Sequence, residues 1–133
     1  MQLEIETPGP GLHPITDPVR RAVREDGRDT GLCTLFIRHT SASLLIQENA
    51  DPSARDDLER WLARLVPEHD PLYTHVLEGA DDMPAHIRAA LTPGHLSIPV
   101  LQGDLVLGTW QGTYLWEHRR APQRRQLVLH LGS

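Results

Sequence analysis

From His95 to Leu131 the chain reads as one extended segment after another with no helix between them, and that order constrains the fold more than any other feature. The segments are His95 to Leu101, Asp104 to Gln111, Thr113 to His118 and Gln126 to Leu131, with a turn signal at Gln102-Gly103-Asp104. Leu127, Leu129 and Leu131 share one face of the last. The helical patterns lie upstream. Thr16 or Asp17 can cap a helix with Pro18 in its first turn, an apolar stripe at Val19, Ala22 and Val23, and a stop at Gly27. Asp51-Pro52 opens the strongest helix, with Asp56 and Asp57 near its positive end and Leu58, Trp61, Leu62 and Leu65 on one face. Pro84 to Leu91 is a short third helix, closed by Pro93-Gly94. Gln2 to Thr7 alternates as a strand, Gly31 to His39 reads as a buried strand, and Ser43 to Gln47 as another, with Thr40-Ser41 as a tight corner between them. Such an order is neither alternating βαβ nor sandwich-like, so the fold class expected is α+β, one domain over residues 1–133. Pro67 to Asp82 is a polar loop too long to be a mere connection.

Composition removes several functions. A formal net charge of −5 argues against a nucleic-acid-binding surface. No apolar run is long enough to span a bilayer, and the acidic, alternating start MQLEIETPGPG is unlike a signal peptide, so a cytoplasmic protein with no membrane partner is expected. A single cysteine, Cys33, excludes an intramolecular disulfide and any CxxC metal site; its apolar surroundings predict a buried, inert thiol. All thirteen basic residues are Arg, which excludes Schiff-base lysine chemistry and a P-loop Lys. Anions must be held by Arg, His or backbone N–H groups.

The densest chemistry lies in Gly108 to Arg119, GTWQGTYLWEHR, which holds half of the aromatic residues interleaved with Gln111, Glu117, His118 and Arg119. Rings next to hydrogen-bonding and titratable heads suit a pocket wall. Read as a hairpin, period two puts Gln111 and Glu117 on one face, and a bulge at Gly112 would change that register. Two further segments have the same character: RHTSASLLIQENAD (Arg38 to Asp51) and DDMPAHIR (Asp81 to Arg88).

Together these blocks resemble the UPF0047 family that includes YjbQ, also called secondary thiamine-phosphate synthase proteins. The matching residues are His39 to Ser43, Glu48 to Pro52, Tyr73 to His75, Asp82 to Arg88, Ser97 to Val100, Leu107 to Gly112 and Glu117 to Arg119, in the family's order over nearly the whole chain. The resemblance implies a mixed, strongly curved β-sheet with short helices on one side. It also implies a homotrimer with sites near subunit boundaries.

Candidate catalytic residues are His39, Glu48, Asn49, His86, Gln111 and Glu117. His39 ends a buried strand and opens a polar turn, where it either enters a site or braces Thr40 and Ser41. His86 starts a helix, where capping is the alternative to a site role. Glu48 and Asn49 are adjacent, so an extended chain sends only one into a given pocket, while Asp51 is occupied as a helix cap. A buried carboxylate needs a partner, so Glu117 is expected to pair with a His, an Arg or a metal, and to share a pocket with Gln111, His39 and His86. Arg88 and Arg119 are candidate phosphate binders, and Trp110 or Trp116 a stacking surface for a bound ring. A divalent metal, Mg²⁺ or Zn²⁺, is expected at His39, His75 and His86, although the spacing of these residues is not diagnostic.

Three functions follow. The resemblance implies thiamine-phosphate synthesis, joining a pyrimidine pyrophosphate to a thiazole phosphate; Glu48 or Asp51 would help hold Mg²⁺, and Arg88 and Arg119 the phosphates. The fold usually associated with that chemistry is a (β/α)₈ barrel of about 250 residues, longer than this chain. A metal-assisted hydrolase with a His cluster is the second reading, and a trimeric, non-enzymatic binder of a small phosphorylated metabolite the third.

Overall fold

Side chains alternate across a strand, so each strand has one face to cover and one to spare. A computed structural model describes residues 1–133. The elements are β1 (Gln2–Thr7), β2 (Gly11–Pro14), α1 (Thr16–Asp26), β3 (Gly31–Ile37), β4 (Ala42–Glu48), α2 (Pro52–Leu65), α3 (Asp82–Leu91), β5 (His95–Leu101), β6 (Asp104–Leu105), β7 (Gln111–Glu117) and β8 (Gln123–Gly132). Five strands form a sheet in the order β1-β8-β3-β5-β6, and three form another in the order β2-β7-β4. Every pairing is antiparallel. The architecture is α+β, a curled antiparallel sheet with a few short helices.

The main core lies between the two sheets. Cys33, Leu35 and Ile37 of β3, Leu96, Ile98 and Val100 of β5, and Leu127 and Leu129 of β8 meet Ala42 and Leu44 of β4 and Leu115 of β7, with Val19, Ala22 and Val23 of α1 completing the cluster. The opposite parity of the smaller sheet builds a second cluster with the helices: Leu12, Tyr114 and Trp116 pack on Leu62 of α2 and Val66. Cys33 is fully buried, as expected, and burial pushes its thiol up to about 11.

Several local expectations change. β3 and β4 do not pair; the Thr40-Ser41 corner carries the chain from one sheet to the other. The hairpin expected in Gly108 to Arg119 is a single strand, β7, running between β2 and β4. The segment expected as Asp104 to Gln111 pairs only at Asp104–Leu105. Gly112 is no bulge: it sits in register opposite Gln47, where a Cβ would come within 3.1 Å of Asn49 Cβ and 3.4 Å of Thr16 Oγ1 and Tyr114 Cε2. Ile15, not Thr16 or Asp17, is the N-cap of α1 and gives no side-chain bond. The Thr16 hydroxyl instead accepts the Thr113 N–H at 2.8 Å, tying α1 to β7. Asp51 does cap α2, accepting the Ser53 N–H at 2.9 Å. Asp56 and Asp57 fall beyond its first turn, and Trp61 and Leu65 stay exposed. Residues 66–81 form no helix or strand, as expected of the long loop.

Candidate functional site

Asp82 and His86 stand one turn apart at the start of α3, so the four-residue spacing puts both on one helix face. The long loop brings His75 against them. One ligand atom from each of His75, Asp82 and His86 lies within 4.8 Å of the others. The Asp82 side chain is 2 % exposed, His86 31 % and His75 50 %, so the cluster is floored by the carboxylate and open on the His75 side.

Asp82 Oδ2 is sealed from solvent and has no hydrogen-bond partner. His75 Nε2 is 2.7 Å away, but the contact lacks hydrogen-bond geometry. His86 Nδ1 lies 3.1 Å from the Thr40 carbonyl oxygen. A carbonyl only accepts, so Nδ1 carries the proton and a neutral ring turns the Nε2 lone pair toward Asp82 Oδ2, 3.4 Å away. With the Thr40 carbonyl fixing the His86 tautomer, His86 Nε2 and Asp82 Oδ2, together with His75, are groups that could hold a metal ion.

Arg119 organises the other side of the cluster. Its Nη1 donates to Asp82 Oδ1 at 2.7 Å, its Nε to Asp81 Oδ2 at 3.0 Å and its Nη2 to the Glu78 carbonyl at 2.9 Å. One guanidinium thereby fixes the carboxylate that faces the two imidazoles and anchors the loop that carries His75. Burial pushes the Asp81 carboxyl up, but bonds from the Arg120 N–H and from Arg119 outweigh it and hold it below the usual carboxylate range.

A cavity of about 480 Å³ has Asp81 in its wall, together with Leu62, Arg88, Trp116, His118 and Arg120. His118 is 3 % exposed, with Nε2 2.9 Å from Ser43 Oγ. Burial first, and the charge of Arg88 second, push its imidazole down to about 3. Glu117, also on the cavity wall, is paired across to the other sheet by Arg125 and takes the Thr7 hydroxyl at 2.7 Å. Its expected pairing is therefore with an arginine. Burial raises its carboxyl, but the bonds from Arg125, Thr7 and the Arg119 N–H bring it below its ordinary value.

The remaining sequence candidates disperse. His39 does not join His75 and His86: its Nε2 accepts the Gln126 N–H at 2.8 Å, which leaves the proton on Nδ1 and no lone pair for a metal. Asp82 occupies the place expected for it. Gln111 and Glu117 share a parity but sit at opposite ends of β7, about 20 Å apart for a strand of that length. Gln111 Oε1 accepts the Gly108 N–H at 2.8 Å, so the single pocket expected for Gln111, Glu117, His39 and His86 does not form. Asn49 reaches the Thr109 and Gln111 carbonyls and, with Gln111, lines a separate cavity of about 400 Å³. Glu48 takes the Ala50 N–H at 3.4 Å, and Trp110 is 64 % exposed. Arg88 and Arg119 both lie near the centre, Arg119 as an intramolecular clamp and Arg88 in the cavity wall. Asp82 and His118 are not among the sequence candidates. The four-residue spacing of Asp82 and His86, seven residues after His75, was the available signal for the first.

Comparison with known proteins agrees with this fold. A family model described as "UPF0047 protein YjbQ-like" matches residues 1–133. A UPF0047 protein of Synechocystis is 53 % identical over 131 residues, covering 98 % of this chain and 89 % of its own. The YjbQ protein of Escherichia coli is 42 % identical, covering 91 % of this chain and 88 % of its own. A conserved hypothetical protein of Thermus thermophilus superposes with a TM-score of 0.88 at 40 % identity, and a YjbQ/UPF0047 protein of Clostridium acetobutylicum with 0.90 at 34 %; each covers 98 % of both chains.

Proposed function

The chain belongs to the UPF0047 YjbQ-like family, and we propose that it is a metal-dependent hydrolase of a small phosphorylated molecule, centred on His75, Asp82 and His86. The observation that carries this reading is Asp82 Oδ2, a buried carboxylate oxygen without a hydrogen bond that faces two imidazole nitrogens. A buried carboxylate oxygen left without a hydrogen bond is costly even when its sister oxygen is paired, and a divalent cation at that point satisfies all three groups at once. Two nitrogen donors and one oxygen favour Zn²⁺ or a similar transition ion over Mg²⁺, which prefers oxygen and water. Such an ion polarises a substrate oxygen and lowers the pKa of a water it binds.

The protein's own groups supply the rest. The Thr40 carbonyl holds the His86 proton on Nδ1 and keeps Nε2 aimed inward. Arg119 holds Asp82 through Oδ1 and leaves Oδ2 free. Asp81, Asp82 and Arg119 sum to one negative charge, so a divalent ion turns the centre net positive and attractive to an anionic substrate. His75, half exposed on its loop, borders the open side from which substrate enters.

Thiamine-phosphate synthesis is the second reading, kept for the family resemblance. Its magnesium ligands would have to come from elsewhere than Asp51, whose Oδ1 takes both the N–H and the hydroxyl of Ser53. Assembly as a homotrimer is proposed on the same resemblance. An exposed apolar surface on the outer face of the larger sheet, Leu32 and Phe36 with Leu101, supports self-association. No helix is long and apolar enough to cross a membrane.

The test is metal analysis of the purified protein followed by assay of phosphate monoesters and diesters, before and after chelation and in Asp82→Asn. Stoichiometric metal and chelator-sensitive hydrolysis are expected. Magnesium-dependent pyrophosphate release from the pyrimidine and thiazole substrates would move the assignment to the synthase. Absence of both metal and turnover would end the hydrolase reading.

A further inference from the structure

The cavity beside Asp81 contains a charge that the metal centre does not use. Arg88, in the last turn of α3, makes one hydrogen bond, from Nη2 to the Val66 carbonyl at 2.7 Å. Its Nε is sealed from solvent without a partner. No carboxylate forms a salt bridge with it, whereas the other two arginines of the cavity wall each have one: Arg60 has Asp57 and Arg120 has Glu68. Asp81 shares the cavity wall with Arg88, but its carboxylate is already bonded to Arg119 and to the Arg120 N–H. Arg88 is thus a half-buried cation whose neutralising partner is missing from the chain. Burying an ion without a counter-charge is destabilising, and stability alone would favour a methionine or leucine at such a position.

The surroundings fit a ligand rather than packing. Arg88 faces a cavity of about 480 Å³, room enough for a small metabolite, with Leu62 and Trp116 as apolar wall and His118 as a neutral hydrogen-bonding ring. The His118 ring is bonded through Nε2 to Ser43, which leaves Nδ1 without a protein partner. Glu59, Glu68 and Glu117 also line the cavity, but none forms an ion pair with Arg88: Glu59 Oε1 takes the Leu12 N–H at 2.7 Å, Glu68 is paired with Arg120 and Glu117 with Arg125.

We infer that this cavity binds the oxyanion group, phosphate or carboxylate, of a small molecule through the Arg88 guanidinium, with the organic part against Trp116 and Leu62. The inference goes beyond the metal centre and does not depend on an ion at His75, Asp82 and His86. If that centre is hydrolytic, Asp81 and Arg119 join the two places, because Asp81 is in the cavity wall and Arg119 holds both Asp81 and Asp82.

Calorimetric titration of the purified full-length protein with inorganic phosphate, and separately with acetate, at constant ionic strength tests this. Wild type is expected to bind at least one of the two saturably, one per chain. Arg88→Gln, which keeps a donor for the Val66 carbonyl, is expected to weaken that binding by about tenfold or more, the scale of a lost charge-assisted bond. Bound metal should be unchanged in the variant. Arg88→Lys, which keeps the charge but not the planar fork, is the second variant if Arg88→Gln does not fold, and is expected to bind more weakly than wild type. Because phosphate also raises stability by exclusion from protein surfaces, a thermal shift counts only as the difference between wild type and variant. Binding that survives Arg88→Gln and disappears on chelation belongs to the metal centre and overturns the inference. No saturable binding of either anion in wild type overturns it as well.

Discussion

Arg125 of β8 reaches across the gap between the two sheets to Glu117 at the end of β7, with Nε 2.7 Å from Oε1 and Nη2 on Oε2. The side chains are 5 % and 0 % exposed. The Thr7 hydroxyl of β1 and the Arg119 N–H complete the carboxylate's shell, and Arg125 Nη2 also bonds Ser41 Oγ at 3.0 Å. One ion pair therefore pins β1, the β3–β4 corner, β7 and β8 together at the edge of the core.

Breaking that pair from one side strands a buried charge. Glu117→Gln is expected to lower unfolding free energy by about 3–5 kcal/mol. The double variant Glu117→Leu with Arg125→Met should lose less than the two single changes added together. Urea unfolding of wild type, Glu117→Gln, Glu117→Leu, Arg125→Met and the double variant checks both. Equal, additive and small losses would assign the pair to a marginal role, while loss of bound metal in a still-folded Glu117→Gln would place Glu117 in the centre after all.

His118 should make the protein acid-sensitive. Its folded pKa is pushed down to about 3 from an ordinary 6.5, so the unfolded chain binds a proton that the folded chain refuses. Where the unfolded state holds more protons, stability rises with pH. The contribution is therefore complete above about pH 6.5 and shrinks as pH falls toward 3, with a slope of at most about 1.4 kcal/mol per pH unit. Glu117, with its folded pKa depressed, adds a loss in the same direction only below its ordinary value of 4.5. In His118→Gln the slope between pH 6.5 and 4.5 should flatten, whatever the variant's absolute stability. An unchanged slope would contradict the assignment.

Metal retention should separate His39 from the other two histidines. His75→Ala and His86→Ala are expected to keep the fold, because both rings are partly exposed, and to lose bound divalent metal. His39→Ala should keep the metal and lose about 1–3 kcal/mol, because the Gln126 N–H loses its acceptor. Elemental analysis paired with thermal unfolding distinguishes the cases, and metal loss in His39→Ala would restore that residue to the ligand set.

Gly31 is expected to tolerate no side chain. A Cβ there would stand 2.5 Å from the Gly132 carbonyl oxygen, a backbone atom of β8 that cannot swing aside. Gly31→Ala must push β3 and β8 apart, and a loss of about 1–3 kcal/mol is expected. A neutral or stabilising effect in denaturant unfolding would mean that the strand ends move freely.

Some of this protein is written locally and was legible as such. The α+β class, the cap at Asp51, the turn at Gln102-Gly103, the helix over the PAHIR segment and the burial of Cys33 each depend on neighbouring residues: a side-chain oxygen beside a free N–H, a glycine where φ is positive, an apolar run. Two of the motif-rich segments, DDMPAHIR and the His75 loop, meet in the His75, Asp82 and His86 cluster. Tertiary structure decided the rest. Strand pairing is non-local, so alternation in Gly108 to Arg119 fitted a hairpin as well as the central strand it forms, and the Thr40-Ser41 corner fitted a tight turn as well as a change of sheet. Equal parity could not separate Gln111 from Glu117, because parity names a face and says nothing of position along it. That Asp82 and not His39 lies with His75 and His86 depended on hydrogen bonds from elsewhere in the fold: the Gln126 N–H of β8 claimed the His39 lone pair, while the Thr40 carbonyl left that of His86 free beside Asp82. Spacing within one segment carries no trace of a partner that the fold brings from elsewhere in the chain.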